Sequence, residues 1–259
     1  MTTDPDLHRR RASSFGSQAA AYAEFRPDYP AAAVRWALEP VADRDRPHVL
    51  DLAAGTGKLT AALVAEGLRT TAVEPDRAML AELRRTLPDV PAHEGTAERI
   101  PLPDGSVDAV LVGQAFHWFA PERALPEIAR VLRPGGVAAG LWNQGDHEVD
   151  WITGLDEVTR GEACFADLSD EVGLPPHEEY EPVRRQRFPN RLRYTRDSLT
   201  AMVATHSRLL LLPEDERAQL LARVRGYLAA RPETQRTEFE VPLVTLVDRA
   251  VRRWGSPRQ

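Results

Sequence analysis

The residues best suited to chemistry begin with one loop, Asp51-Leu52-Ala53-Ala54-Gly55-Thr56-Gly57-Lys58-Leu59-Thr60. An acid opens it, and its glycines let a backbone approach a ligand closely. A second acid, Glu74, ends the next apolar run, Thr70-Thr71-Ala72-Val73-Glu74. A third cluster, Gln114-Ala115-Phe116-His117-Trp118-Phe119, follows a strong apolar run and carries a base and three aromatic rings. Three ligands compete for such a loop. A nucleoside triphosphate wants G-x-x-x-x-G-K-[ST]. Here Leu52 stands at the first glycine position, and Leu59 offers magnesium no hydroxyl. A dinucleotide wants G-x-G-x-x-G. Gly55 and Gly57 match, but Thr60 stands third, and Asp51 brings negative charge where a pyrophosphate needs amide donors. S-adenosylmethionine has no phosphate and carries two positive groups, so an acid before the glycines suits it. Glu74 then accepts ribose hydroxyls, a feature that dinucleotide sites share.

The elements that must position these residues alternate. His48 to Ala53 reads as a buried strand, 57–66 as a helix and 70–74 as a strand. Pro75 and Asp76 open a helix to about Leu87, and a weak strand follows at 90–93. Val107 to Val112 is a strand, and 121–132 a helix stopped by the turn Arg133-Pro134-Gly135-Gly136. Val137 to Trp142 is a further strand. This rhythm predicts βαβ units, a parallel sheet and helices on both faces. Residues 14–39 read as two short helices broken by Pro27 and Pro30. Residues 148–182 and 195–231 read as mostly helical, Val183 to Phe188 as a strand and 238–247 as a final strand returning to the sheet. No linker cuts the chain, so the pattern predicts one domain over 1–259, with lid helices at 14–39, a core at 48–143 and a substrate cap within 144–235.

Four ordered segments resemble the class I S-adenosylmethionine-dependent methyltransferases of the methyltransferase-11 type: VLDLAAGTGKLT (49–60), AVEPDRAML (72–80), GTAERIPLPDGSVDAVLVGQAFHWF (95–119) and EIARVLRPGGVAAGLWN (127–143). FGSQAAAYAEFRPDYP (15–30) and the LWN ending resemble the small-molecule branch near the trans-aconitate methyltransferases. The resemblance implies a Rossmann-like α/β fold: a mostly parallel seven-stranded sheet with an antiparallel last strand. It also implies S-adenosyl-L-methionine as cofactor, S-adenosyl-L-homocysteine as product and a small-molecule acceptor.

Residue by residue, the resemblance implies that Asp51 and the backbone of Ala53, Gly55 and Gly57 hold the amino-acid end of the cofactor. Glu74 holds the ribose. Pro75 and Met79 flank the adenine, and Thr96 and Ala97 read its edge. Gln114 meets the methionine portion, and Tyr22 and Arg26 close over it. His117 is the candidate base, and Trp118, Trp142 and Asn143 line the acceptor pocket. Each has a plainer alternative. Asp51 could cap its turn, Glu74-Pro75-Asp76 could simply start a helix, and Met79 and Trp118 could be packing. Two positions depart from the family pattern. Ala53 replaces the first loop glycine, which requires an ordinary negative φ. Thr96 stands where an acid often accepts the adenine amino group, leaving part of that recognition to Glu98.

Composition bounds the rest. With 259 residues, 42% hydrophobic and 28% charged, the chain is long enough for a large core. No run approaches the roughly 18 apolar residues of a membrane span. The opening MTTDPDLHRRR has charge but no apolar stretch behind it, which predicts no signal peptide and a cytoplasmic protein. A net charge of −6 argues against nucleic acid. One cysteine, Cys164, excludes an intrachain disulfide, and the histidine spacing predicts no metal site. The expected protein is a monomer or homodimer that methylates a small molecule. O-methylation of a carboxylate or hydroxyl comes first; N- or C-methylation, or cofactor binding without catalysis, are the alternatives.

Overall fold

The computed structural model describes residues 27–159, 172–205, 209 and 212–254. The expected lid residues Tyr22 and Arg26, with Cys164 and the rest of 14–26, lie outside the described residues. The elements are α1 (Ala31–Leu38), β1 (His48–Leu52), α2 (Lys58–Ala65), β2 (Arg69–Glu74), α3 (Arg77–Thr86), β3 (Ala92–Glu94), β4 (Val107–Gly113), α4 (Pro121–Val131), β5 (Leu132–Gly145), α5 (Asp150–Thr159), β6 (Arg184–Tyr194), α6 (Arg196–Ala204), α7 (Glu214–Ala229) and β7 (Phe239–Val251). The strands form one seven-stranded sheet in the order β3-β2-β1-β4-β5-β7-β6.

The order explains the hydrophobic pattern. β1 pairs in parallel with β2 and β4, β2 with β3, and β4 with β5. Central β1 is buried at every position, as a parallel strand covered on both faces requires. β7 runs antiparallel: Arg252 donates to Gly136 of β5 at one end, and Asp146, just past β5, donates to Pro242 of β7 at the other. The expected antiparallel last strand is present, inserted between β5 and β6.

The described residues pack as two compact units. One takes 28–142, 172–188 and 245–254, and the other 27, 143–159, 189–205, 209 and 212–244. In the first, Val49, Leu63, Leu111, Val137 and Leu141 share a core with α1. In the second, Ile152, Leu199, Val203, Val224 and Leu228 bring α5, α6 and α7 together, with Val241 and Leu243 of β7 in the same cluster. No helix among the described residues is long and apolar enough to cross a membrane.

Three sequence expectations need correction. Residues 172–182 form no helix; Pro175 and Pro176 remove two amide donors and disfavour α geometry before them. The turn Arg133–Gly136 does not separate α4 from the next strand but lies within β5. The β4–β5 register jumps from Val107↔Leu132 to Ala109↔Val137, so the four residues between bulge out while pairing continues. β6 does not stop at Phe188; it runs through Pro189 to Tyr194. Proline is tolerated there because β6 is the sheet edge and needs no donor on its free side.

Candidate functional site

The two ends of the central strands treat buried acids differently. At the amino end of β4, Asp108 is fully paired. Arg44 reaches one oxygen at 2.6 Å; the His48 amide and Arg133 reach the other at 2.7 and 2.6 Å. Burial alone would raise Asp108, but these donors hold it below its ordinary value. This cluster anchors strands. At the carboxyl end of β1, Asp51 is completely buried. Its Oδ2 accepts the Thr60 hydroxyl at 2.6 Å, and its Oδ1 has no partner. Burial pushes this carboxyl up to about 7; the Thr60 bond opposes the rise and the charge of Glu74 adds to it. A buried acid with a free oxygen under a glycine loop is an incomplete site for a cation.

Glu74 closes the loop from β2. Its two oxygens accept the Gly55 and Asp76 amides, each at 2.8 Å. A carboxylate has about four acceptor positions, so room for further donors remains. Burial raises Glu74 to about 6 against the pull of those two amides, with the Asp76 charge adding to the rise. Asp76 also does what the plainer alternative required, capping α3 through the amides of Ala78 and Met79. Lys58 is turned to Asp28 at 2.9 Å.

The loop backbone is left-handed at Gly55 (φ +58°) and Gly57 (φ +92°), and also at Ala53 (φ +58°). The negative φ expected of Ala53 is therefore wrong. The tight exit from β1 imposes this conformation, at about 1–2 kcal/mol for a residue with a β-carbon. Gln114, after β4, shares φ +58°. Strained residues thus sit beyond the carboxyl ends of two paired strands, a pattern typical of functional sites. Ala53→Gly is expected to stabilise the protein by about 0.5–1 kcal/mol, the relief of strain less the extra chain entropy of glycine. Urea unfolding measures it, and an unchanged or lower midpoint would contradict the strain.

Beyond β2 and β3 an open cleft of about 490 Å³ is lined by Pro75, Glu94, Gly95, Thr96, Arg99, Ile100 and Pro101. Thus Pro75 and Thr96 share one cleft. Ala97 is buried behind it in the chain, and Met79 is buried with its sulfur close to Gly55. Glu98 is committed elsewhere: its carboxylate accepts the Ala120 amide at the start of α4, at 3.0 Å. His117 and Trp118 lie in a short 3-10 turn after β4, their rings 4.6 Å apart. His117 is exposed and Phe116 is buried. Trp142, near the end of β5, is buried flat over Gly140, where a β-carbon would run into the indole; its Nε1–H has no partner. Asn143 belongs to the other unit, where its side-chain amide donates to the Pro27 carbonyl at 3.4 Å and its oxygen accepts from Asn190 at 3.2 Å.

Sequence reasoning missed Thr56. Its hydroxyl is buried between the loop glycines without a partner. A hydroxyl residue flanked by glycines was the available signal.

Residues 50–140 match the family described as the methyltransferase domain. The uncharacterized methyltransferase Rv3342 of Mycobacterium tuberculosis is 44% identical over 238 residues, 92% of this chain and 95% of that protein. The chain belongs to the methyltransferases. A solved structure described as a type II methyltransferase from Anaeromyxobacter dehalogenans aligns with a TM-score of 0.61 at 25% identity, over 88% of this chain and 98% of the other. The demethylmenaquinone methyltransferase of Beutenbergia cavernae is 40% identical over 103 residues, 39% of this chain and 43% of that enzyme. Methyltransferase family and fold together imply use of S-adenosylmethionine.

Proposed function

We propose that this methyltransferase moves a methyl group from S-adenosylmethionine to an oxygen of a small organic acceptor, a carboxylate first and a hydroxyl second. The observation that carries the cofactor reading is the partnerless Oδ1 of buried Asp51, beside Glu74 and under the loop. A cationic ammonium satisfies that oxygen; a pyrophosphate would be repelled. In this reading Asp51 and the backbone of Ala53, Gly55 and Gly57 hold the amino-acid end, and Glu74 holds the ribose. Pro75, Met79, Thr96 and Ala97 surround the adenine, and Gln114 meets the methionine portion. The whole chain acts as one functional domain, with 144–235 choosing the acceptor. Trp118 and Trp142 lie on the acceptor side, and the indole N–H of Trp142, which has no partner, is suited to an acceptor oxygen.

When bound, the cofactor supplies an electrophilic methyl on a positive sulfur. The chain's work is to hold donor and acceptor in line, worth on the order of 7–11 kcal/mol. A carboxylate acceptor needs no base. The oxygen reading draws on the likeness of 15–30 and LWN to the trans-aconitate branch. Carbon methylation is the second reading, favoured by the likeness to the demethylmenaquinone methyltransferase, which extends over 103 residues, 39% of this chain.

The test is a panel of small carboxylic acids, phenols, amines and quinols with isotope-labelled methyl donor, read by mass spectrometry. A methyl ester is the expected product, and a ring-methylated quinol would replace this reading with the second. On the accepted substrate, His117→Gln is expected to keep kcat within about tenfold across neutral pH, because His117 then only shapes the pocket. A loss of about 10²–10⁴-fold, with the titrating limb gone, would make His117 the base for a protonated nucleophile.

A further inference from the structure

Outside the glycine loop, Arg130 on α4 has every side-chain donor engaged. A guanidinium has five N–H donors, and all of them are used. Nε and one Nη2 hydrogen fork onto Glu127 at 2.8 Å each. The other Nη2 hydrogen reaches the Ile100 carbonyl at 2.9 Å. The Nη1 pair reaches the Leu102 carbonyl at 2.9 Å and Asp104 at 2.6 Å. Glu127 completes the ring by accepting the Ile100 amide at 2.8 Å.

What these bonds hold is the wall of the cleft. Arg130 grips the carbonyls on either side of Pro101, and the Leu102 amide bonds back to the Ile100 carbonyl at 2.8 Å, closing a three-residue turn around Pro101. Ile100 and Pro101 line the cleft. Pro101 also lies hard against Gly95 on the opposite strand end; a β-carbon there would sit 2.6 Å from Pro101 Cδ. The turn has no strand or helix of its own to fix it. Its place is set from 28 to 30 residues away by one ion pair.

We infer that Arg130 and Glu127 are positioning residues for methyl-donor binding: they fix the Ile100–Pro101–Leu102 turn as the wall against which the nucleoside end seats. This rests on the reading that the cleft takes that end. Neither side chain touches the ligand. Lysine cannot substitute, because an ammonium offers three converging donors where the site needs five in a planar fork.

The experiment measures binding of S-adenosylhomocysteine and of 5′-methylthioadenosine, which keeps the nucleoside and lacks the amino-acid end. Calorimetry on wild type and Arg130→Lys is run well below both melting temperatures, with hydrogen exchange over 95–104. Arg130→Lys is expected to weaken both ligands by the same factor, roughly tenfold, the loss of one or two charge-assisted bonds. Exchange at Ile100 and Leu102 is expected to speed up while α2 and β1 stay unchanged. If Arg130→Lys does not fold, Glu127→Gln carries the same expectations. Wild-type affinity for both ligands in a variant with a loosened turn would overturn the inference, as would a loss confined to S-adenosylhomocysteine. If the wild type binds S-adenosylhomocysteine but not 5′-methylthioadenosine, the cleft assignment fails rather than the clamp.

Discussion

Asp51→Asn is expected to weaken S-adenosylhomocysteine binding and, as pH rises, to leave the free protein relatively more stable than wild type. The affinity arm follows from charge. The ligand's ammonium loses a carboxylate partner, a charge-assisted bond worth about 1.5–3 kcal/mol, or about 10- to 150-fold in Kd. The stability arm follows from the raised carboxyl. Asp51 has an ordinary value of 3.8 and lies at about 7 in the folded protein. Between those values the folded state binds more protons than the unfolded, so stability is full below the lower value and is lost as pH rises through the upper. A shift of that size corresponds to something on the order of 4 kcal/mol. Glu74, raised to about 6, has the same sign. Asparagine keeps an acceptor for the Thr60 hydroxyl but does not titrate. The gap in melting temperature, variant minus wild type, is therefore expected to widen from pH 5 to pH 8. Wild-type affinity for S-adenosylhomocysteine, whose ammonium group pairs with ionised Asp51, is expected to rise over the same interval, with proton release on binding. Thermal shift at four pH values and calorimetry in two buffers of different ionisation enthalpy check both arms. Unchanged affinity at pH 7.5 together with a pH-independent gap would remove Asp51 from the site.

Gly55→Val is expected to abolish detectable cofactor binding and leave the sheet folded. Within the protein the new β-carbon has room, its nearest neighbour being the Met79 sulfur at 3.7 Å. The folding cost is thus mainly the left-handed backbone, about 1–2 kcal/mol and somewhat more for a β-branched residue. In the proposed reading, the space the side chain takes next to the Met79 sulfur is space that the ligand needs beside the loop backbone. Circular dichroism and calorimetry separate the two effects. A folded Gly55→Val protein that binds S-adenosylhomocysteine like wild type would mean that the ligand lies elsewhere.

The alternation of strand and helix through residues 48–132 was legible because its signals are local. Apolar runs such as Val49–Leu52 and Val107–Val112 mark buried parallel strands, and Gly67, Pro75-Asp76 and Pro121 punctuate them. The order of four segments carried the family. Asp51 and Glu74 stood out for the same reason, as acids at two adjacent strand ends.

What the tertiary structure decided was every feature set by residues far apart in the chain. Ala53 is left-handed because the exit from β1 demands it, against its own preference. β6 passes through Pro189 because it lies at the sheet edge, a position that no local pattern encodes. Asp51 and Asp108 are both buried acids on neighbouring strands, and sequence does not tell them apart. One meets Arg44 and Arg133 and becomes an anchor; the other meets a single hydroxyl and keeps an open oxygen. Arg130 pairs with Glu127 one turn back on its own helix, as helical spacing allows, yet its other three donors find two carbonyls and a carboxylate on a loop nearly 30 residues back. Local propensity selects elements, but whether a buried polar group is satisfied depends on which partners the fold brings to it.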